Sequence, residues 1–276
     1  MPSAIDVSCP EPSYAVNEPW TQPFLAQVFP ITSTLRLAVI EFETPPTDVF
    51  ENHGTYGDVV IKLLRRTLSS TTDHAPALRV TKISALEDEV WPDVAEIDAV
   101  LVTGSKYTAS DDNPWVPSLV GFIQQTYQAR KPLAGICYGH QIIARALGGL
   151  TTRNPGGWEL SVHKVDLSPK GAKLFSTDSL SIYQMHRDAV IEPPPHVEVI
   201  GSSPRCGVQI MYQPSRVLGF QGHPELDKLI TESLLKQRLD EGILEVPLYE
   251  DAMARVENKH DGAMIANVMC RFFLRS

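Results

Sequence analysis

The chain has 276 residues, 43% hydrophobic and 21% charged, enough to bury a full core as one large domain or one domain with extensions. A formal net charge of −9 argues against nucleic acid or an anionic membrane as partner. Cys9, Cys137, Cys206 and Cys270 are far apart, without metal or disulfide spacing. Met1 to Trp20 carries Asp6, Glu11 and Glu18 and lacks an apolar core, so no secretory signal is read there, and a reducing, cytoplasmic setting is expected.

In chain order, residues 1–34 read as a Pro-rich N-terminal extension. Prolines at 2, 10, 12, 19, 23 and 30 interrupt any helix or strand. Such a segment is either disordered or laid over the domain surface, and Trp20, Phe24 and Phe29 favour the surface. The folded domain, residues 35–276, should begin at the apolar run 35–40, suited to a buried parallel strand. Residues 56–68 place Val59, Val60, Leu63 and Leu64 at helical spacing, and 78–83 and 97–103 read as strands. Asp112-Asn113-Pro114 reads as the cap and first position of a helix reaching about Ala129. Residues 132–136 form the next strand, followed by a helical pattern at 141–147 that Gly148-Gly149 ends.

This alternation specifies an α/β fold, a mostly parallel sheet with helices on both faces. From 160 to 211 the pattern changes to short strands at 161–166, 180–183, 197–200 and 207–211, separated by turn signals such as Ser168-Pro169 and Pro193-Pro-Pro195. They predict an antiparallel extension of the same sheet. Residues 217–222 read as a further strand, and the tail from Leu226 as helix interrupted near Pro247.

The chemistry concentrates at Gly135-Ile-Cys-Tyr-Gly-His-Gln141. A cysteine between glycines, after a strand and before a helix, has the form of a nucleophile elbow. At the helix N-terminus the dipole favours its thiolate. His223-Pro-Glu225 follows the 217–222 strand and supplies a base for the thiol and a carboxylate to orient that base. Ligands of such sheets bind beyond the carboxyl ends of the strands, and Gly104, Cys137 and His223 each follow a strand candidate. Gln141 stands one helical turn after Cys137 and can face the same cleft. His140 reads as a helix-surface residue, Trp158 and Glu159 as pocket wall. Asp111 and Asp112 are explained by the helix cap. His53, His74, His163, His196 and His260 have no metal spacing, so no metal site is expected.

With these residues the chain resembles the class I (triad) glutamine amidotransferases. Gly135–Gln141 and Gly222-His-Pro-Glu225 are similar to that family's nucleophile and His-x-Glu motifs, and Thr103-Gly-Ser105 to its oxyanion loop. Within the family it resembles a free-standing, GMP-synthase-like branch that includes plant γ-glutamyl peptidases. The marks are Leu101–Lys106, Asp111–Trp115, Asn154–Glu159, Met185-His-Arg-Asp188 and Phe220–Glu225. The resemblance implies the flavodoxin-like class I glutaminase fold and a Cys137–His223–Glu225 triad. Gly104 and Tyr138 would form the oxyanion hole. Gln141, His186, Arg187 and Asp188 would hold the amino-acid end of a small-molecule γ-glutamyl substrate. It implies no cofactor, and it allows a separate ammonia-using synthetase as partner. Two other readings stay open: a thiol recruited to a different acyl or Michael-type reaction in metabolite biosynthesis, and a non-enzymatic thiol sensor or binding protein.

Overall fold

The computed structural model describes residues 34–71, 76–87 and 90–274. All but Thr34 of the expected 1–34 extension lies outside them, as do Cys9 and His74. Nine strands form one sheet in the order β2 (Ala77–Ser84), β1 (Thr34–Glu41), β3 (Ala99–Val102), β4 (Leu133–Ile136), β11 (Val217–Phe220), β10 (Ile210–Gln213), β9 (Glu198–Ser202), β6 (Glu159–Leu167), β7 (Ser179–His186). The first five are mutually parallel. From β11 outward each pairing is antiparallel, so the 160–211 region extends the sheet as its strand pattern predicts.

Alternation along the strands sends side chains to two cores. Leu35, Leu37 and Val39 of β1 join Leu101, Ile136 and Phe220 on one face, under α2 (Tyr56–Thr71) and α8 (Gly262–Phe273). Ala38 and Ile40 join Val100, Val102 and Leu133 on the other, under α3 (Val116–Gln128) and α4 (Tyr138–Ala146). Each fully buried Leu, Ile, Val or Phe contributes on the order of 1.5–3 kcal/mol, so two such layers account for a doubly wound sheet. A third cluster packs α6 (Lys228–Asp240) and α7 (Val246–Met253) against Leu160, Val162, Tyr183 and Met185 of the antiparallel half.

Two details differ from the sequence reading. Helix α3 starts at Val116, with Trp115 at its N-cap and Pro117 in its first turn. Asp112 does not cap it: its carboxylate pairs with Arg145 of α4 at 2.7 Å, and that guanidinium also donates to the carbonyls of Ala109 and Asp111. Pro117 supplies the fixed φ that Pro114 was expected to supply. Pro247 opens α7, and the helical tail is interrupted just before it, as its pattern predicts. Finally, helix α1 (Thr47–His53) and the ribbon of β5 (Leu150–Arg153) with β8 (Asp188–Glu192) have patterns too short to read in advance.

Candidate active site

β1, β3, β4 and β11 lie side by side and parallel, so the residues just past their carboxyl ends form a row: Phe42-Glu43, Thr103-Gly104, Cys137 and Gln221-Gly222-His223. Backbone bonds lock the row. Thr103 N donates to Ile40 O at 3.0 Å, Gly139 N to Thr103 O at 3.1 Å, and Cys137 N to Phe220 O at 2.8 Å. His223 N donates across to Tyr183 O of β7 at 2.7 Å.

Cys137 occupies the elbow with φ 50° and ψ −104°, a region that side-chain-bearing residues rarely adopt. The strain sits in the cysteine itself. The flanking glycines allow close packing. A Cβ on Gly139 would meet Val102 O at 2.1 Å, and one on Gly135 would meet the Gly139 backbone at 2.5 Å. Their bareness lets α4 press onto β3 and β4 and places Cys137 at the helix's positive end.

His223 Nδ1 donates to Glu225 Oε1 at 2.8 Å, and both side chains are nearly inaccessible. Burial alone would lower the imidazole pKa. The negative Glu225, hydrogen-bonded to Nδ1, and the nearby sulfur of Cys137 outweigh it and raise the value to about 10. Cys270 is buried without such a partner and Cys206 lies near Glu159 and His186; burial pushes both thiols up to about 12. The structure therefore brings Cys137, His223 and Glu225 together.

Gly104 lies against this group: a Cβ there would be 2.8 Å from His223 Cε1 and 3.6 Å from Cys137 Cβ. Two neighbours went unread in the sequence. Glu43 accepts from Lys106 N at 2.5 Å and from Ser105 Oγ at 2.7 Å. Tyr56 is a half-buried phenol kept neutral first by desolvation, then by the negative charge of Glu43, with Glu225 and Cys137 adding to it. Glu43 could have been suspected from its place just beyond the first strand. Tyr56 carried only a helical spacing.

Gln141 is buried, and its Nε2 donates to Asp188 O at 2.9 Å and to Gln221 Oε1 at 3.0 Å. His186 Nδ1 donates to the same Asp188 carbonyl at 3.0 Å. The Asp188 carboxylate pairs with Arg153 at 2.5 Å and accepts from Thr108 Oγ1 at 2.9 Å. The cation paired with Asp188 is thus Arg153 of β5. Arg187 is exposed, its guanidinium 5.3 Å from the centre of the Trp158 ring.

His140 is fully buried, contrary to the surface position expected for it. Every residue of α4 but Arg145 is buried, so a polar position on that helix is an interior one. Burial lowers the His140 pKa to about 3, and the ring is neutral. Glu159 is likewise no pocket wall but the centre of a buried network, accepting from His186 Nε2 at 3.1 Å, Ser203 Oγ at 2.6 Å and Gln209 Nε2 at 2.7 Å. Glu159, His186 and Cys206 have potential metal-ligand atoms within 4.8 Å of one another. Hydrogen bonds satisfy both oxygens of Glu159 and both nitrogens of His186, so the network accounts for these groups by itself. No helix among the described residues is long and apolar enough to cross a membrane.

Known proteins are similar to this chain in sequence and in fold. The Glutamine amidotransferase class-I family matches residues 55–239. A glutamine amidotransferase-like protein of Schizosaccharomyces pombe is 32% identical over 244 residues, 86% of this chain and 98% of that protein. Gamma-glutamyl peptidase 2 of Arabidopsis thaliana is 30% identical over 187 residues, 66% of this chain and 75% of the peptidase. The crystal structure of a glutamine amidotransferase from Thermotoga maritima superposes with a TM-score of 0.62 at 17% identity, covering 88% of this chain and 99% of that one, a likeness of fold.

Proposed function

The chain belongs to the class I glutamine amidotransferase family, and from that premise we propose a cysteine-dependent enzyme that cleaves the γ-glutamyl amide of small peptides and conjugates. The observation that carries the reading is the strained Cys137 beside a buried, Glu225-bound His223 at the carboxyl edge of the sheet. The likeness to a γ-glutamyl peptidase supports peptides over free glutamine.

Cys137 attacks the γ-carbonyl as the thiolate, and its proton resides on His223, which the charge of Glu225 favours. The electron pair moves to the carbonyl oxygen, which accepts from the backbone N–H groups of Gly104 and Tyr138. As the C–N bond breaks, His223 delivers its proton to the departing amine. Water, deprotonated by His223, then hydrolyses the γ-glutamyl thioester, or an amine accepts the acyl group. In this reading the α-amino-acid end meets Gln141 and the 186–188 turn. Asp188 faces the ammonium, Arg153 and Arg187 supply cations for the carboxylate, and His186 holds the turn. The free thiols of Cys137, Cys206 and Cys270 fit a cytoplasmic setting. A separate synthetase using released ammonia is the partner if glutamine is the substrate.

The test is glutamate release from glutamine, glutathione and an N-acetylated γ-glutamyl peptide. Turnover should require the free α-amino group and vanish in Cys137→Ala. A protein whose Cys137 is alkylated readily but which releases glutamate from none of them would overturn the substrate reading.

A further inference from the structure

We propose that the carboxyl end of β1 clamps the oxyanion hole, with Glu43 as a positioning residue for acyl transfer at Cys137; the proposal rests on the cysteine-nucleophile reading above. Glu43 Oε1 accepts from Lys106 N at 2.5 Å and Oε2 from Ser105 Oγ at 2.7 Å. Ser105 Oγ in turn accepts from Tyr107 N at 3.2 Å. The three residues after Gly104 are thereby hung on one carboxylate. On its other side Gly104 follows Thr103, whose N–H is bound to Ile40 and whose carbonyl is bound to Gly139. The loop that touches His223 and Cys137 is thus held at both ends, by the sheet and by Glu43.

The second oxyanion donor belongs to Tyr138, and its ring packs edge-on against Phe42, with centroids 4.8 Å apart. Adjacent residues of one strand end therefore brace both halves of the hole, Phe42 by ring contact and Glu43 by charge-assisted hydrogen bonds. Such donors stabilise a transition state only when their direction is fixed beforehand. Beyond the buried Gly104 the loop has little packing of its own, since Lys106 is exposed and Ser105 only partly buried.

The experiment compares two reactions of the same thiol in the full chain, with Cys137→Ala as blank. In acylation by p-nitrophenyl acetate the thiolate attacks the carbonyl, an S–C bond forms, and the electron pair goes to the oxygen. It returns as p-nitrophenolate leaves. In alkylation by iodoacetamide the thiolate displaces iodide at a saturated carbon, and no oxyanion forms. Glu43→Ala should slow acylation by about 10–100-fold, short of the 100- to 1,000-fold loss of a whole donor, and leave alkylation within about 2-fold. Glu43→Gln, which keeps one acceptor oxygen, should recover most of the acylation rate. Ser105→Ala, losing one of the two links, should fall between and decides the matter should Glu43→Ala fail to fold. On a γ-glutamyl peptide kcat should fall with KM nearly constant. Acylation and alkylation falling together, or acylation unchanged, overturns the clamp. Wild-type protein that acylates but cleaves no γ-glutamyl compound overturns the substrate reading instead, and the acylation-to-alkylation ratio still decides on Glu43.

Discussion

The ionisation of His223 governs what Cys137 can do. Its pKa stands near 10 because Glu225 and the thiol stabilise the imidazolium more than burial destabilises it. The folded value is raised, so the stability it contributes is fully present below the ordinary histidine pKa of about 6.5 and is lost as pH rises toward 10. Activity should follow the same limb: kcat/KM holds through neutrality and declines only as His223 loses its proton. Glu225→Gln removes the largest raising charge. The alkaline limb should then move down toward neutrality while measurable turnover remains, and a pH–rate profile with an unmoved limb would refute the assignment. Tyr138 makes a second residue-level test. Its hydroxyl is buried without a hydrogen-bond partner, and only its backbone N–H is needed for the proposed chemistry. Tyr138→Phe should keep kcat within about 2-fold and hold or raise stability by about 1 kcal/mol. A tenfold loss of kcat would give the hydroxyl a role.

At the scale of elements, the contact of α4 with β3 and β4 sets the position of the nucleophile. A methyl group on Gly139 would sit 2.1 Å from a strand carbonyl that the sheet does not let move. Gly139→Ala should therefore destabilise the fold by about 1–3 kcal/mol or more, and kcat should fall even in the fraction that folds, because α4 carries Cys137 with it. Urea melts with active-site titration by iodoacetamide separate the two effects. The same elements show what the sequence discloses. β1, β3 and β4 were legible as short apolar runs because they are buried on both faces. Cys137, His223 and Glu225 were legible because the elbow and the His-Pro-Glu turn are local in the chain. Glu43, bonded to residues 62 and 63 positions away, and Thr108, bonded to Asp188 80 positions away, were not. The place of Glu43 just beyond the first strand hints at the site, but nothing local announces partners that arrive through the sheet order. His140 was misread for a related reason, since its apolar surroundings are contributed by other strands, Gly219 of β11 among them.

Across the whole molecule, the antiparallel half of the sheet reaches the site directly at His223, whose N–H is held by Tyr183 O of β7, and more remotely through a buried pair. Glu159 on β6 and His186 at the end of β7 are each about 1% exposed, and they meet at 3.1 Å. His186 passes the connection on to the Asp188 carbonyl, where Gln141 of α4 also binds. Desolvation pushes the Glu159 pKa up, but hydrogen bonds from His186 and Ser203 and the attraction of the imidazole hold it below its ordinary value. Because the folded value is depressed, Glu159 adds stability above the ordinary glutamate pKa, and this is lost as pH falls through the folded value. Breaking one side of such a buried pair typically costs about 3–5 kcal/mol. Glu159→Gln should therefore lower the urea midpoint strongly at pH 7, and the gap from wild type should narrow as the buffer is taken to acid. The 186–188 turn loses its anchor in the same variant, so KM for a γ-glutamyl peptide should rise more than kcat falls. Equal stability of the two proteins at pH 7 would mean that the pair ties nothing together. A kcat loss with unchanged KM would place Glu159 in the chemistry of Cys137 rather than in the support of Asp188.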